Sequence, residues 1–524
     1  MSVKTYAHDD ADVVVVIGSG AGGGTMAHEL CRLGASVVLL ESGPHLQAEA
    51  FVNDEWAAYD MLSWLDRRTA SGTWRVATDH PDAPVWHCEV VGGTTAHWSG
   101  CAYRLQRHEM HARTAYGDIP GTSLIDWPIS LDELAPFYEL AETRMGVTGT
   151  GGRPVLPPNN NYKVMAHGAR RLGFEKVSTG RHAINAAPYD GRPASVQDGF
   201  TITGDKHGSR WSTANVEIPR ALATGRLELR ARCRAVRIEH DAAGKACAVV
   251  YADADGALQR QAARVVVLAA NCVESSRLLL HSHSALFPQG LANGWGHVGR
   301  HYLRHVVQTV WSLFDQPVHM HRGEVMAGLI EDLAGHDPAR GFAGGYYVEL
   351  NSMGLPSTAA LLEPGWWGRD FAGVIERYAH MAGLYMTGED MPRADNRITL
   401  RDDAVDRFGV PVANVHYDDH ANDIAMRNHG YRQMTAIHRA AGATRCIETP
   451  AYAATHNLGS NRMSARADDG VVDRWGCAHE VPNLFVADGS QFASGGAANP
   501  TLTIVALAIR QAGEIARRLS QAEL

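Results

Sequence analysis

The sequence predicts an α/β fold that contains a parallel, dinucleotide-binding sheet. Three observations predict it: a strand–glycine loop–helix–strand unit near the N-terminus, a strand and an amphipathic helix at the other end of the chain, and a globular composition. Of the 524 residues, 45% are apolar and 20% are charged, which excludes a disordered chain, a collagen-like repeat and a small disulfide scaffold. At about 150 residues per domain, this length predicts two to four domains.

The N-terminal unit begins with a β-branched run, Val13–Ile17, which predicts a strand buried on both faces of a parallel sheet. Three glycines follow it with G-x-G-x-x-G spacing: Gly18, Gly20 and Gly23. In this pattern the first glycine permits a tight turn, the second lets the main chain approach a pyrophosphate, and the third allows close packing of helix on strand. The N-terminus of the following helix offers free N–H groups to the phosphates.

The second strand of the unit, Val37–Leu40, ends in Glu41, 18 residues after Gly23. This distance is close to that expected for an acid that binds a ribose hydroxyl. The whole order of strand, glycines, helix, strand and acid predicts a dinucleotide site rather than an ordinary glycine-rich turn. It does not decide between FAD and NAD.

The C-terminal region predicts a second helix whose positive end faces a ligand. A short apolar strand, Leu484–Ala487, is followed by the turn Asp488–Gly489 and later by an amphipathic helix over Thr501–Leu519. Asn499 suits the N-cap of this helix, and Pro500 suits its first position, where a missing N–H costs nothing.

Charge and apolar patterning exclude other classes of partner and site. The net charge is −9, so a nucleic-acid partner, which needs a basic face, is not expected. No apolar run reaches the roughly 18 residues of a membrane span, and acidic residues near the N-terminus do not suit a secretory signal. We therefore expect a cytoplasmic protein without a membrane span. The eight cysteines form no C-x-x-C pair and the histidines no H-E-x-x-H motif, so no metal site is expected.

Three segments resemble the glucose–methanol–choline family of FAD-dependent alcohol oxidoreductases, and most of all its pyranose 2-oxidase and bacterial sugar dehydrogenase branch. They are the N-terminal unit, VVGGTTAHWSG (Val90–Gly100) and the block from HNLGSNRM (His456–Met463) to GAANPTLT. The resemblance implies a Rossmann-type FAD-binding domain and a substrate domain on a mainly antiparallel sheet. It assigns 1–46, 87–110, 218–305 and 455–524 to the FAD-binding domain, and 47–86, 111–217 and 306–454 to the substrate-binding domain.

The resemblance also implies a catalytic pair, His456 and Asn499. A neutral imidazole can take the hydroxyl proton of an alcohol while the C–H gives a hydride to flavin N5, and an amide can stabilise the developing alkoxide. The implied activity is oxidation of a CH–OH group of a sugar, glycoside, aminosugar or cyclic polyol. A non-redox flavoprotein of the same fold, such as a lyase or a scaffold, is the alternative.

Further contacts with FAD are implied by the same motifs. His97 occupies the position at which the pyranose oxidase branch attaches flavin covalently, whereas some dehydrogenases with the same H-W pair hold FAD without a bond; both possibilities stay open. Ser99 matches a position beside flavin N5, and main-chain N–H groups at Thr501 and Leu502 suit a negatively charged reduced flavin. The remaining implied contacts are Gly93, Trp98, Cys233, Asp488, Gly489 and Pro500.

Two further observations on the sequence concern the electron acceptor and the substrate. Some relatives carry an iron–sulfur cluster after a sequence like PYDGRP (Pro188–Pro193), but residues 194–213 contain no cysteine, so no cluster is expected. Electrons would then pass to oxygen, a quinone or a protein redox partner. Asp418, Asp419 and Asp423 would suit a cationic aminosugar, although we interpret these acids as a solvated loop.

Overall fold

The computed structural model describes residues 4–55, 57, 63–64, 70–71, 86–355, 358–359, 362, 367–449 and 455–524. Much of the segment 47–86, which we predicted to belong to the substrate domain, lies outside these described residues. The strands within them are, in chain order, β1 (Val14–Ile17), β2 (Val37–Leu40), β3 (Ser63–Trp64), β4 (Ala70–Ser71), β5 (Trp86–His87), β6 (Val177–Ser178), β7 (Leu227–Arg230), β8 (Arg234–His240), β9 (Ala246–Ala252), β10 (Leu258–Ala262), β11 (Val265–Leu268), β12 (Val306–Leu313), β13 (Leu329–Ile330), β14 (Tyr346–Leu350), β15 (Met381–Gly388), β16 (Arg397–Val405), β17 (Pro411–His416), β18 (Arg445–Glu448) and β19 (Leu484–Val486). The α-helices are α1 (Ala21–Arg32), α2 (Arg107–Met110), α3 (Ala112–Tyr116), α4 (Leu131–Met145), α5 (Asn160–Arg171), α6 (Ile218–Ala223), α7 (Cys272–His281), α8 (Gly368–Ile375), α9 (Ala421–Ala440) and α10 (Thr501–Ser520).

A parallel sheet in the order β19-β11-β1-β2-β7 confirms the predicted Rossmann-type half. Val14 of β1 pairs with Val37 of β2 on one side and with Val265 of β11 on the other. The residues of β1, β2 and β11 are buried throughout, as the unbroken apolar runs predict for a sheet covered on both faces. The predicted strand Val13–Ile17 begins one residue later in the structure, and β19 ends one residue earlier than predicted.

Helix α1 packs close to this sheet because it carries glycine where other residues carry a side chain. A Cβ atom on Gly22 would lie 1.8 Å from the carbonyl oxygen of Ala487, and one on Gly23 would lie 1.9 Å from that of Gly18. Both distances are well inside van der Waals contact. The glycine pattern therefore sets how near the helix N-terminus comes to the carboxyl ends of the strands.

An antiparallel sheet in the order β18-β12-β15-β14-β13-β6 forms the other half and confirms the predicted antiparallel character. Helices α5 and α9 pack on it through a buried cluster that includes Met165, Met434 and Ile437. The strands β8, β9 and β10 form a separate antiparallel sheet, and β17 pairs with both β16 and β4.

Helix α10 starts where the sequence predicted it, but its N-cap differs from the prediction. The helix begins at Thr501, and Pro500 with φ −79° is its N-cap residue, with no side chain bonded to the first turn. The predicted N-cap role of Asn499 is therefore wrong, because its side chain turns toward Glu349 of the antiparallel sheet. Among the described helices, none combines the length and the apolar character that crossing a membrane requires.

Candidate active site

A large cavity lies between the parallel and the antiparallel sheets. The cavity and its open mouth together enclose about 2070 Å³ that no protein atom occupies. Its walls include the ends of β1, β2, β11 and β19, the first turns of α1 and α10, and residues beside β14 and β15. Ligands of parallel α/β sheets bind at the carboxyl ends of the strands, and this cavity opens at that edge.

The part of the cavity at β1 and β2 carries the geometry of a nucleotide site. The carboxylate of Glu41 accepts hydrogen bonds from Ser19 N at 3.0 Å, Ser19 Oγ at 2.7 Å and Gly43 N at 2.9 Å. Burial raises the pKa of Glu41, and these donors act in the opposite direction. The acid predicted to bind a ribose is thus held at the end of β2 and faces the cavity.

The main chain of α1 is free to meet phosphates here. Its N-cap residue, Gly20, brings no side chain to the first turn, so the first N–H groups of the helix stay available. Gly93 comes so near that a Cβ on it would lie 2.8 Å from Gly20 Cα. Gly18, Gly20 and Gly93 all line the cavity. Gly23 does not, and its place is the helix–strand contact described above.

His456 and Asn499, the predicted catalytic pair, line the same cavity on the side of the antiparallel sheet. His456 is partly exposed toward the cavity, and its Nδ1 lies 3.0 Å from Nδ1 of His305. Burial, followed by the influence of His305, lowers the pKa of His456 well below its usual range. The imidazole is therefore neutral at pH 7, as a proton acceptor must be.

The side chain of Asn499 is buried and hydrogen-bonds that of Glu349 on β14, while its Oδ1 has no partner. Burial raises the pKa of Glu349 to about 8, although Asn499 and Thr387 act in the opposite direction. The carboxyl is thus largely protonated at pH 7. Asn499 thus places an amide in the cavity wall, and Glu349 places a neutral acid behind it.

The segment with His97, Trp98 and Ser99 forms another wall and is held by a buried arginine. Arg210 donates hydrogen bonds to the carbonyl oxygens of Ala96, at 2.6 Å, and of Trp98. His97 is 1% exposed, and neither of its ring nitrogens makes a hydrogen bond of normal geometry. Burial and then the Arg210 guanidinium lower the pKa of His97 to about 4, so its ring is neutral and its nitrogens are available to a ligand.

The cavity brings together all but two of the predicted site residues. Those that line it are Gly18, Gly20, Glu41, Gly93, His97, Trp98, Ser99, Cys233, His456, Asp488, Gly489, Asn499, Pro500 and Thr501. Gly23 and Leu502 are the exceptions. Leu502 faces the protein core and is fully buried, so only its main chain remains available for the contact we predicted.

The sequence motifs missed several residues of the site. His305 precedes β12, Glu349 lies on β14 and Tyr385 lies on β15; Asn351, whose buried Nδ2 has no partner, follows β14. Glu349, Asn351 and Tyr385 lie in the segment 306–454, which we predicted to belong to the substrate-binding domain, whereas His305 is the last residue of the predicted FAD-binding segment 218–305. Asn351 and Tyr385 line the cavity. His305 and Glu349 do not line it but contact residues that do, His456 and Asn499 respectively.

The acids interpreted as a solvated loop are different in the structure. Asp423 is 1% exposed and accepts hydrogen bonds from Met391 N and His420 N, at the first turn of α9. Asp419 forms an ion pair with Arg427 at 2.6 Å. The interpretation as a solvated loop is therefore wrong for Asp423, whose role is to cap a helix. None of the three acids lines the cavity.

The cavity fits a flavin dinucleotide in its shape and in its groups. It offers a buried acid for a ribose, uncapped helix N-termini for phosphates and for the electron-rich edge of a flavin, and an imidazole without partners at His97. A flavin dinucleotide needs such groups at both its adenylate end and its flavin end. One continuous cavity connects the two places where these groups lie.

Comparison with known proteins agrees with this geometry. Two family models, both described as GMC oxidoreductase, match residues 22–307 and 392–508. A 2-methyl-1,2-propanediol dehydrogenase of Mycolicibacterium austroafricanum is 33% identical over 98% of this chain and 97% of its own length. The fructose dehydrogenase large subunit of Gluconobacter japonicus is 29% identical over 99% and 100%.

The fold is also that of a solved oxidase. The crystal structure of pyridoxine 4-oxidase from Mesorbium loti matches with a TM-score of 0.71 at 16% identity, over 96% of this chain and 98% of that one. Family models cover more than half of the sequence, and a relative above 30% identity spans nearly all of it. The chain therefore belongs to the GMC oxidoreductase family.

Proposed function

We propose that the protein uses FAD to oxidise a CH–OH group of a small, neutral polyol or sugar, with His456 as the base. The observation that carries this proposal is that the neutral imidazole of His456 and the Asn499 amide line the same cavity, which carries the groups that a flavin dinucleotide needs. Family membership gives the cofactor and the class of reaction.

The chain would hold FAD along the cavity by the groups described above. Glu41 would accept a hydrogen bond from the ribose, the first turn of α1 would face the pyrophosphate, and Thr501 at the start of α10 would face the flavin. When bound, FAD accepts the hydride that leaves the alcohol carbon. The positive end of α10 lines the cavity and would then stabilise the negative charge of the reduced cofactor.

His456 would remove the hydroxyl proton. A C–H bond gives up a hydride more easily as the neighbouring oxygen becomes an alkoxide, and a positioned base makes that possible near neutral pH. The low pKa of His456 keeps the base unprotonated before the reaction. Asn499 would hold the substrate oxygen from the other side, since an amide in a cavity that excludes water stabilises a developing alkoxide.

The cavity end around His456 suits a neutral substrate. The described residues that share this end carry no charge and are Val325, Met326, Asn351, Met353, Tyr385 and Thr455. The unpartnered Nδ2 of Asn351 can donate to a second hydroxyl. The names of the two relatives above give a diol and a ketohexose as substrates, and both are neutral and polyhydroxylated.

The first test is the variant His456→Ala. We expect it to keep its yellow cofactor and to lose turnover by a factor of about 10² or more, because proton removal is lost. The measurement is the rate of anaerobic flavin reduction by a panel of diols, sugars and aminosugars. His283→Ala, which changes an exposed histidine after α7, is the control and should react like the unchanged protein.

Equal rates for His456→Ala and the control would contradict the assignment of the base. A protein whose flavin no alcohol bleaches would support the non-redox alternative instead. Repeating the assay with oxygen, a soluble quinone and an artificial one-electron dye then identifies the electron acceptor. The compound that re-oxidises the flavin fastest indicates the chemical class of the natural acceptor.

We also propose that His97 would form a covalent bond to the flavin: an N–H bond of the imidazole and a C–H bond of the flavin would break as the N–C bond forms, and the two electrons would pass to the protein's electron acceptor. The support is its buried, neutral ring with two unpartnered nitrogens, held in place by Arg210. Acid precipitation tests the bond: we expect the yellow colour to stay with the pellet for the unchanged protein and to move to the supernatant for His97→Ala. Free flavin in both supernatants would contradict the proposal.

A further inference from the structure

His305 makes two hydrogen bonds that together decide the protonation of its neighbour. It lies immediately before β12 and is 1% exposed. Its Nδ1 is 3.0 Å from Nδ1 of His456, and its Nε2 is 3.2 Å from the carbonyl oxygen of Gly495. The two rings meet edge to face, with their centroids 4.9 Å apart and an interplanar angle of 76°.

The contact with Gly495 fixes the hydrogen on His305. A carbonyl oxygen only accepts, so Nε2 of His305 must be the nitrogen that carries the hydrogen. Burial lowers the pKa of His305, so the ring is neutral at pH 7 and carries one N–H. Its Nδ1 therefore holds a lone pair and can only accept.

The contact between the two histidines then fixes the hydrogen on His456. Because Nδ1 of His305 accepts, Nδ1 of His456 must donate across the 3.0 Å contact. His456 is neutral too, so its second nitrogen, Nε2, is left with the lone pair. In the opposite tautomer two lone pairs would face each other across this contact, and the hydrogen bond between the two rings would be lost.

We infer that His305 is a positioning residue, which holds His456 in the Nδ1–H tautomer so that Nε2 is free to act as the base. This inference rests on the proposed role of His456. In the reaction, the O–H bond of the substrate breaks, its electron pair stays on oxygen, and the proton forms a new N–H bond at Nε2. The hydride leaves the carbon to FAD, and Nδ1–H of the resulting imidazolium still donates to His305.

The charge around His305 suits this role. A Cβ on Gly495 would lie 3.1 Å from Oδ1 of Asp390 and 3.2 Å from Cδ2 of His305, so the acid and the imidazole share one wall. Oδ2 of Asp390 accepts from Arg304 N at 2.8 Å and from Tyr417 at 3.1 Å, whereas its Oδ1 has no partner. A carboxyl group here favours positive charge on the pair of rings once the proton has arrived.

The test compares two variants of equal size. His305→Asn keeps an acceptor near the place of Nδ1, and His305→Leu removes it. His305 has φ +64°, a conformation that asparagine tolerates better than most residues. We expect His305→Leu to slow anaerobic flavin reduction by about 10-fold or more at unchanged FAD content, and His305→Asn to recover most of that loss.

The control is His301→Leu. His301 is also buried, also has a left-handed main chain with φ +65°, and lies four residues earlier, where it contacts Ser123 and His297. It does not line the cavity. This variant therefore shows how far the rate of flavin reduction changes when a buried histidine of the same main-chain conformation is replaced and the contact with His456 is kept. We expect that rate to stay close to that of the unchanged protein.

A second measurement needs no variant at position 305. In protein labelled with ¹⁵N-histidine, the resonances of His456 are those missing from His456→Ala. We expect Nδ1 to resonate as a protonated nitrogen and Nε2 as an unprotonated one. Protonated Nε2, or equal rates for the asparagine and leucine variants, would overturn the inference. If His456→Ala stayed as active as the unchanged protein, the proposed function would fail instead.

Discussion

At the residue scale, burial keeps four ionisable side chains of this site uncharged at pH 7. His97, His305 and His456 all have lowered pKa values, and Glu349 has a raised one, with burial as the largest cause in each case. Neutral imidazoles accept protons and a neutral carboxyl donates a hydrogen bond. These four groups are thus uncharged at pH 7, and the imidazole of His456 would gain charge only during the reaction.

The protonated carboxyl of Glu349 gives a prediction about pH. Its pKa is about 8 in the folded protein and near 4.5 in the unfolded chain, so the folded state binds one more proton between these two values. The free energy of unfolding should therefore fall as pH rises from 5 to 8, by up to about 1.4 kcal/mol per pH unit from this group. The variant Glu349→Gln should lose that part of the slope.

Urea unfolding of both proteins at several pH values between 5 and 8 checks this. We expect the stability of Glu349→Gln relative to the unchanged protein to increase steadily with pH. Parallel curves would mean that Glu349 titrates alike in both states, and they would contradict its burial as a neutral acid.

The family resemblance pointed to His456, Asn499 and His97 through short motifs, and the structure brings all three to one cavity, while their roles stay a prediction. The motifs missed His305 and Glu349. Their partners His456 and Asn499 are about 150 residues away in the sequence. Such pairs depend on the register of the antiparallel sheet, which no local pattern in one sequence determines.

At the element scale, the two helices that face the cavity begin without side-chain caps. Gly20 precedes α1 and Pro500 precedes α10, and neither brings a side chain to the first turn. A missing cap costs about 1 kcal/mol in a typical helix, but it leaves N–H groups for a ligand. The βαβ pattern predicted the first of these helices, and the second begins at Thr501 as predicted, but the preference of asparagine for N-caps misplaced its cap by one residue.

The close packing of α1 gives a prediction with an internal control. Gly22→Ala would put a Cβ 1.8 Å from Ala487 O, whereas a Cβ on Gly513 in α10 meets nothing within 4 Å. Alanine favours a helix by about 1 kcal/mol over glycine, so Gly513→Ala should stabilise slightly. Gly22→Ala should destabilise by more than that gain, since main chain must move, and should lower FAD content.

Thermal unfolding and the flavin absorbance per mole of protein measure both variants. If Gly22→Ala matched Gly513→Ala in stability and in FAD content, then α1 would not be fixed at the distance from β19 that the structure gives.

At the scale of the whole molecule, the cavity joins parts of the chain that are far apart in sequence. Its walls come from residues near 17–42, 87–101, 233–278 and 455–504, and from the antiparallel sheet. The predicted domain boundaries follow the same segments and stay a prediction. A ligand that contacts all of these walls at once binds only the folded chain.

Cofactor binding should therefore stabilise the entire protein, and both halves of FAD should be needed for it. In His97→Ala, where no covalent bond to the flavin can form, FAD can be removed and added back. We expect saturating FAD to raise the thermal midpoint of the apoprotein, with about 2.7 kcal/mol of stabilisation at a concentration 100 times its Kd. FMN should give a smaller shift, because it lacks the adenylate half that Glu41 and the first turn of α1 would contact. Equal shifts with the two flavins would place the binding energy at the flavin end alone, and would contradict the nucleotide site at β1 and β2.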